Sequence, residues 1–228
     1  MQRRMFLIGL GLWAPAAWAQ GVLPPGLSAA DASSGLRLAL ESGAAAAVTR
    51  LAKVDGYWGD PQVRVPLPGA LETTRQRLAP LRLSAPLDRL QLQLNRAAEK
   101  AAPQARTLLV DAVKGLSFAD AASVLRGGPT AGTDVLRART AEPLTTAFTP
   151  VVSEALGQVG ALKSLDGVVA KYRLKGLLGG DSRALATRFT TQKALDGLFH
   201  YIAAEEAAIR ADPLKRAGGL LSRVFGAL

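Results

Sequence analysis

Apolar residues in this chain recur at intervals of three and four and almost never alternate, so helices are nearly all that it can build. One segment does alternate, Val63-Arg64-Val65, but Pro61, Pro66 and Pro68 bracket it, and proline has no amide to give a β-ladder. It reads as an extended connector after the turn Gly56-Tyr57-Trp58-Gly59-Asp60. The expected fold is all-α: a single-domain multi-helix bundle with a kinked central helix and a long C-terminal helix.

Ser28-x-x-Asp31 has the spacing of a capping box and opens a helix with Leu36, Leu40, Ala44, Val48 and Leu51 on one face. A second helix runs from about Ala85 to Lys114, with Leu87, Leu90, Leu94, Ala98, Ala101, Ala105, Leu108 and Ala112 in register. Leu92 and Val110 lie opposite that stripe, as expected of a central helix, and Pro103 should kink it. Ser117 starts a short helix that Gly127-Gly128-Pro129 ends. From Thr133 to Val159 follows a stretch that one helix, or two pieces divided at Pro143 and Pro150, would satisfy. Gly179-Gly180-Asp181-Ser182 supplies a loop and N-cap for the longest clean helix, Arg183 to Ala211. A short terminal helix from Asp212-Pro213 carries Leu214, Leu221, Val224 and Phe225.

The first residues read as an address rather than a structure. Arg3 and Arg4 precede a short apolar run, Leu7 to Trp13, and Ala17-Trp18-Ala19 is an A-x-A cleavage pattern. Residues 1–19 are thus expected to be a signal peptide, 20–30 a short leader and 31–228 one helical domain in the periplasm or outside the cell. Arg3-Arg4-Met5-Phe6-Leu7 also resembles the twin-arginine export pattern, which leaves two export routes open. The remaining chain has no apolar stretch of the roughly eighteen residues that a membrane-spanning helix needs.

Composition narrows the chemistry. Cysteine is absent, which excludes disulfides, thiolate nucleophiles and cysteine-held metals. The formal charge is +10, with Arg outnumbering Lys 20 to 8, but no block of five like charges occurs. Weak, salt-reversible contact with anionic lipid or other envelope polyanions is expected; nucleic-acid binding is not, because basic residues are scattered and aromatics are 5% of the chain.

Several segments stand out as specific strings. They are Asp31-Ala32-Ser33-Ser34-Gly35-Leu36, Asn95-Arg96-Ala97-Ala98-Glu99 and Asp111-Ala112-Val113-Lys114-Gly115-Leu116. A longer one runs Thr190-Thr191-Gln192-Lys193-Ala194-Leu195-Asp196-Gly197-Leu198-Phe199, with Ile202-Ala203-Ala204-Glu205-Glu206 and Val224-Phe225-Gly226 beyond it. Together they resemble a bacterial exported family known as domain of unknown function 4197. The resemblance implies one helical domain behind a signal peptide, and it brings no established activity, substrate or catalytic residue. The chain departs from the family pattern at Arg183 to Arg188, where more acidic residues are expected.

Few residues are left to carry chemistry. There is a single histidine, His200, four residues after Asp196, but the helical wheel turns it away from the apolar stripe, as expected of a solvated side chain. No G-x-S-x-G, H-E-x-x-H or phosphate-binding loop occurs, and no cofactor or metal site is expected. Glu205 and Glu206 project close to the stripe of Leu195, Leu198, Phe199, Ile202 and Ile209. Carboxylates so placed sit at the rim, pair with a cation or do chemistry, and the catalytic candidates, such as they are, are these two. Arg210 is the local partner for Glu206; Arg96 and Lys114 are the long-range ones, and both also count as candidate ligand-binding residues. If the role of Glu206 is structural, leucine should be tolerated there provided packing improves. Tyr57 and Trp58, adjacent aromatics in a glycine-flanked turn, either close the end of the bundle or face a ligand or membrane. The reading that results is a non-enzymatic binding or interaction module of the cell envelope. Its alternatives are a carrier or sensor of lipid-like or anionic ligands, and a carboxylate-dependent cell-wall hydrolase.

Overall fold

The computed structural model describes residues 26–117, 121–176, 178, 180–216 and 219–226. The signal-peptide reading therefore falls outside the described residues. Eight helices are described: α1 (Ala29–Leu51), α2 (Gly69–Leu78), α3 (Ala85–Gly115), α4 (Ala121–Arg126), α5 (Ala131–Gln158), α6 (Ala161–Lys171), α7 (Ser182–Ala211) and α8 (Gly219–Gly226). No strand occurs among the described residues, and the fold is an all-α bundle.

The four long helices form a closed ring of neighbours. α1 packs on α7, α7 on α5, α5 on α3 and α3 on α1. α4 and α8 dock on α1, α6 lies against α3 and α5, and α2 packs on the start of α3. Ser28 and Asp31 form the full capping box, and Leu36, Leu40, Ala44, Val48 and Leu51 are all buried. Small residues let α1 and α7 approach closely. A Cβ added at Gly43 would lie 3.2 Å from the Ile202 carbonyl oxygen, and one at Gly35 would strike Val224 of α8 at 2.6 Å.

Helix α3 is central, yet its buried line differs from the expected one. Beyond Pro103 it passes through Ala105, Leu109 and Val113, while Leu108 and Ala112 are only half-buried. A true 3.6-residue period drifts across a fixed three-four spacing, so a long stripe read at fixed steps slips by one position. Leu92 and Val110 are half-buried on the other side. α5 is one helix, not two, with Pro143 and Pro150 inside it. Both prolines are exposed, as are Arg139 and Thr146, whose carbonyls they leave without an amide, so those carbonyls can turn to water. The terminal helix begins only at Gly219; Pro213–Lys215 is a separate 3₁₀ turn, and Leu214 is 90% exposed rather than part of the apolar face. The start expected at Ser117 leads into residues 118–120, outside the described set.

The connector between α1 and α2 alternates as expected, with Val63 and Val65 inward and Arg64 outward. In place of a ladder it has Asn95. The Asn95 side chain accepts from the Val65 amide and donates to the Val65 carbonyl, each at 2.8 Å, satisfying both backbone groups of a buried residue.

Tyr57 fills the space beside Gly197, where an added Cβ would come within 2.7 Å of its ring. Because Tyr57 is fully buried, Gly197→Ala is expected to lower stability by about 1–3 kcal/mol. Gly157→Ala, facing open space near the end of α5, should raise it by roughly 0.5–1 kcal/mol. Urea unfolding of the two variants checks both signs.

Candidate functional site

Glu206 is fully buried, and its carboxylate accepts five hydrogen bonds. The Gly132 and Thr133 amides reach it at 2.9 and 2.7 Å, and the Thr133 hydroxyl at 2.7 Å. Arg210, one turn on in α7, donates through Nε at 3.0 Å and Nη2 at 2.8 Å. Gly132 and Thr133 are in the first turn of α5, whose N-cap Thr130 makes no side-chain cap. A carboxylate from α7 therefore caps α5, where the helix dipole favours negative charge. Arg210 continues outward to the Leu125 carbonyl at 2.7 Å and the Val124 carbonyl at 3.3 Å, meeting the end of α4 with the opposite charge. Gly132 leaves room for the contact: its missing Cβ would stand 2.9 Å from the carboxylate and 2.7 Å from Leu36.

Glu205 is half-buried and pairs with Lys215 at 3.3 Å. Of the long-range partners considered for Glu206, Arg96 instead joins Glu99 at 2.7 Å and Asp55 at 2.8 Å. Lys114 sits exposed in the last turn of α3.

Glu99 is a second buried carboxylate that the sequence reading did not single out. It accepts from the Tyr57 and Trp58 amides, each at 3.2 Å. The Tyr57 hydroxyl donates to the Ala194 carbonyl at 2.7 Å, and burial, with the nearby Glu99 charge, holds the phenol far above its ordinary range. Tyr57 thus closes the bundle and stays a donor. Trp58 is half-buried under the Arg64 guanidinium, 4.8 Å from its ring centre, and Arg64 also donates to the Trp58 carbonyl.

Above these anchors lies an open groove of about 550 Å³ between the connector, the start of α5 and the middle of α7. Arg64, Arg137, Lys193 and His200 line it, with Asp134 and Asp196. A second depression of about 430 Å³ continues it along α5 and α7, sharing Arg137, Lys193, Asp196 and Phe199. Asp196 is held by Arg137 and, at 3.0 Å, by Lys193, and the Arg137 guanidinium lies 5.5 Å from the Phe199 ring centre. Asp196 is thus engaged by cations rather than by His200, which is exposed and meets Tyr201 edge-on at 5.0 Å. Sequence reasoning missed Arg64 and Arg137 because they come from distant segments; only the Lys193–Asp196 spacing was a local signal. Among the described residues no group of three His, Asp or Glu side chains is placed to hold a metal.

The cap revises the expectation for leucine at position 206. Glu206→Leu would leave the Gly132 and Thr133 amides buried and unpaired, each costing roughly 1–3 kcal/mol. Glu206→Gln should cost about 3–5 kcal/mol, as in breaking a buried ion pair. Both variants are expected to unfold at lower denaturant than the parent. An unchanged midpoint for either would contradict the structural role.

No curated protein and no solved structure matches this chain. A family model described as "Protein of unknown function (DUF4197)" matches residues 26–226, which span all the described helices. The chain belongs to that family.

Proposed function

We propose that this protein is an exported, non-enzymatic binding module of the cell envelope, and that the groove along α5 and α7 is its binding surface. The observation that carries the reading is how the acids are used. Glu206 and Glu99 are buried, and their oxygens are engaged by backbone amides and arginines, so both belong to the scaffold. Glu206, with no exposed surface, offers nothing to a substrate or an attacking water. What faces outward is a concave surface with three cations against two carboxylates, one of them already neutralised by Arg137 and Lys193. An anionic group on a small molecule or a partner suits it. Export rests on the arginine pair, apolar run and A-x-A pattern at the start of the chain.

A carrier of lipid-like ligands is the second reading. It is favoured by an apolar depression of about 530 Å³ between α3 and α5, lined by Leu108, Ala112, Pro143, Leu144 and Ala147.

A photo-crosslinking residue in place of exposed His200, in cells of the native host, tests the groove. One discrete adduct in the envelope fraction is expected, lost when Arg137 and Lys193 are both changed to Ala. Absence of any adduct, or one indifferent to those changes, would count against the groove. Native mass spectrometry of the same protein separates the readings, because a bare mass across several preparations speaks against a carrier.

A further inference from the structure

A different end of the molecule carries a feature that the groove does not explain. α2 runs into a 3₁₀ turn, Ala79–Leu81, and the chain then passes through Arg82 in the left-handed conformation, φ 57° and ψ 29°. The Arg82 amide bonds the Ala79 carbonyl at 3.0 Å and the Leu83 amide bonds the Leu78 carbonyl at 3.1 Å. α6 ends in the same way. Arg173 is left-handed, φ 53°, its amide on the Ala170 carbonyl at 3.3 Å and the Leu174 amide on Val169 at 3.0 Å. This closure ordinarily takes glycine, because a side chain in that conformation is strained. The two turns are neighbours: the Tyr172 hydroxyl donates to the Leu83 carbonyl at 3.0 Å.

Two strained arginines side by side, in a chain with 23 glycines, need a reason beyond turning the chain. Their surroundings supply it. Leu81 and Leu83 flank Arg82 and are 65% and 56% exposed. Segments 77–84 and 167–180 contain Arg77, Arg82, Lys171, Arg173 and Lys175 and no Asp or Glu. All five cations are exposed, and among the described residues none of them pairs with a carboxylate. Lys171 lies 5.5 Å from the Tyr172 ring centre, which places that cation at the same end.

We propose that this end of the bundle, the Pro80-Leu81-Arg82-Leu83 turn beside the Tyr172-Arg173 turn, docks on an anionic lipid surface. The leucines enter the headgroup boundary while the arginines and lysines meet the phosphates, an arrangement in which apolar burial and charge act together. A polyanion without an apolar layer would use the cations and leave the leucines idle. The docking end is independent of the groove reading, which stands or falls on its own test.

The experiment is co-sedimentation of the protein, purified from its native host, with vesicles of phosphatidylglycerol and phosphatidylethanolamine, against phosphatidylcholine alone. Preferential binding to the anionic vesicles is expected. Arg82→Gly with Arg173→Gly should raise the melting temperature, because glycine relieves the left-handed strain, yet weaken vesicle binding by about fivefold for each charge removed. Leu81→Ser with Leu83→Ser should weaken it at least as much and leave the residual binding fully reversible by salt. The control, Lys100→Gln with Arg106→Gln, removes the same charge from exposed positions of α3 and should bind as the parent does. No binding by the parent, equal loss in the control, or a leucine variant that binds normally would each overturn the proposal. The last of these would mark the end as a site for soluble polyanions.

Discussion

The bond between the Glu206 carboxylate and the start of α5 is the constraint around which the bundle is assembled. Four segments meet there. α7 supplies Glu206 and Arg210, α5 supplies two amides and a hydroxyl, α4 offers its last carbonyls, and α1 contributes Leu36 against Gly132. A helix leaves its first amides without internal partners, and burying them unpaired is costly. In α5 none is left so: Ala131 bonds Gly128, Asp134 bonds Thr130, and Gly132 and Thr133 bond Glu206. The charge therefore serves registration, fixing how far α7 slides along α5 and which way α4 enters.

A second anchor works on the same principle at the connector. Asn95 and Glu99, one turn apart on α3, hold the backbone of Val65 and of Tyr57-Trp58, and Tyr57 then reaches Ala194 across α7. Two of the segments that carry the family resemblance thus serve the scaffold. Asn95 to Glu99 ties down an irregular loop. The run from Thr190 to Phe199 provides the carbonyl and the glycine that receive Tyr57. The outward residues of the second run, Lys193 and Asp196, pair with each other and line the groove instead.

What was legible in the sequence was local. The capping box, the apolar lines of α1 and α7 and the Glu206–Arg210 spacing all depend on residues within one or two turns. What was not legible depends on distant partners or on weak periodicity. Nothing near Glu206 in sequence announces that its acceptors are filled by Gly132 and Thr133. Glu99 hid because it follows two alanines on an apolar face and its donors are the amides of a loop. α2 has one buried residue, Leu71, which sets no period, and α6 has Ala161, Leu165 and Val168 at helical spacing over only two turns; neither was identified in advance. Pro143 and Pro150 suggested a break because sequence alone does not show that both rings face solvent.

Amide hydrogen exchange of the native protein tests the capping most directly. First-turn amides normally exchange within the local fraying of a helix, as the Arg183 amide at the exposed start of α7 should. Gly132 and Thr133 are instead expected to exchange only with global opening, as slowly as Ile202 in the middle of α7. Exchange of those two amides as fast as that of Arg183 would contradict a structure organised around Glu206.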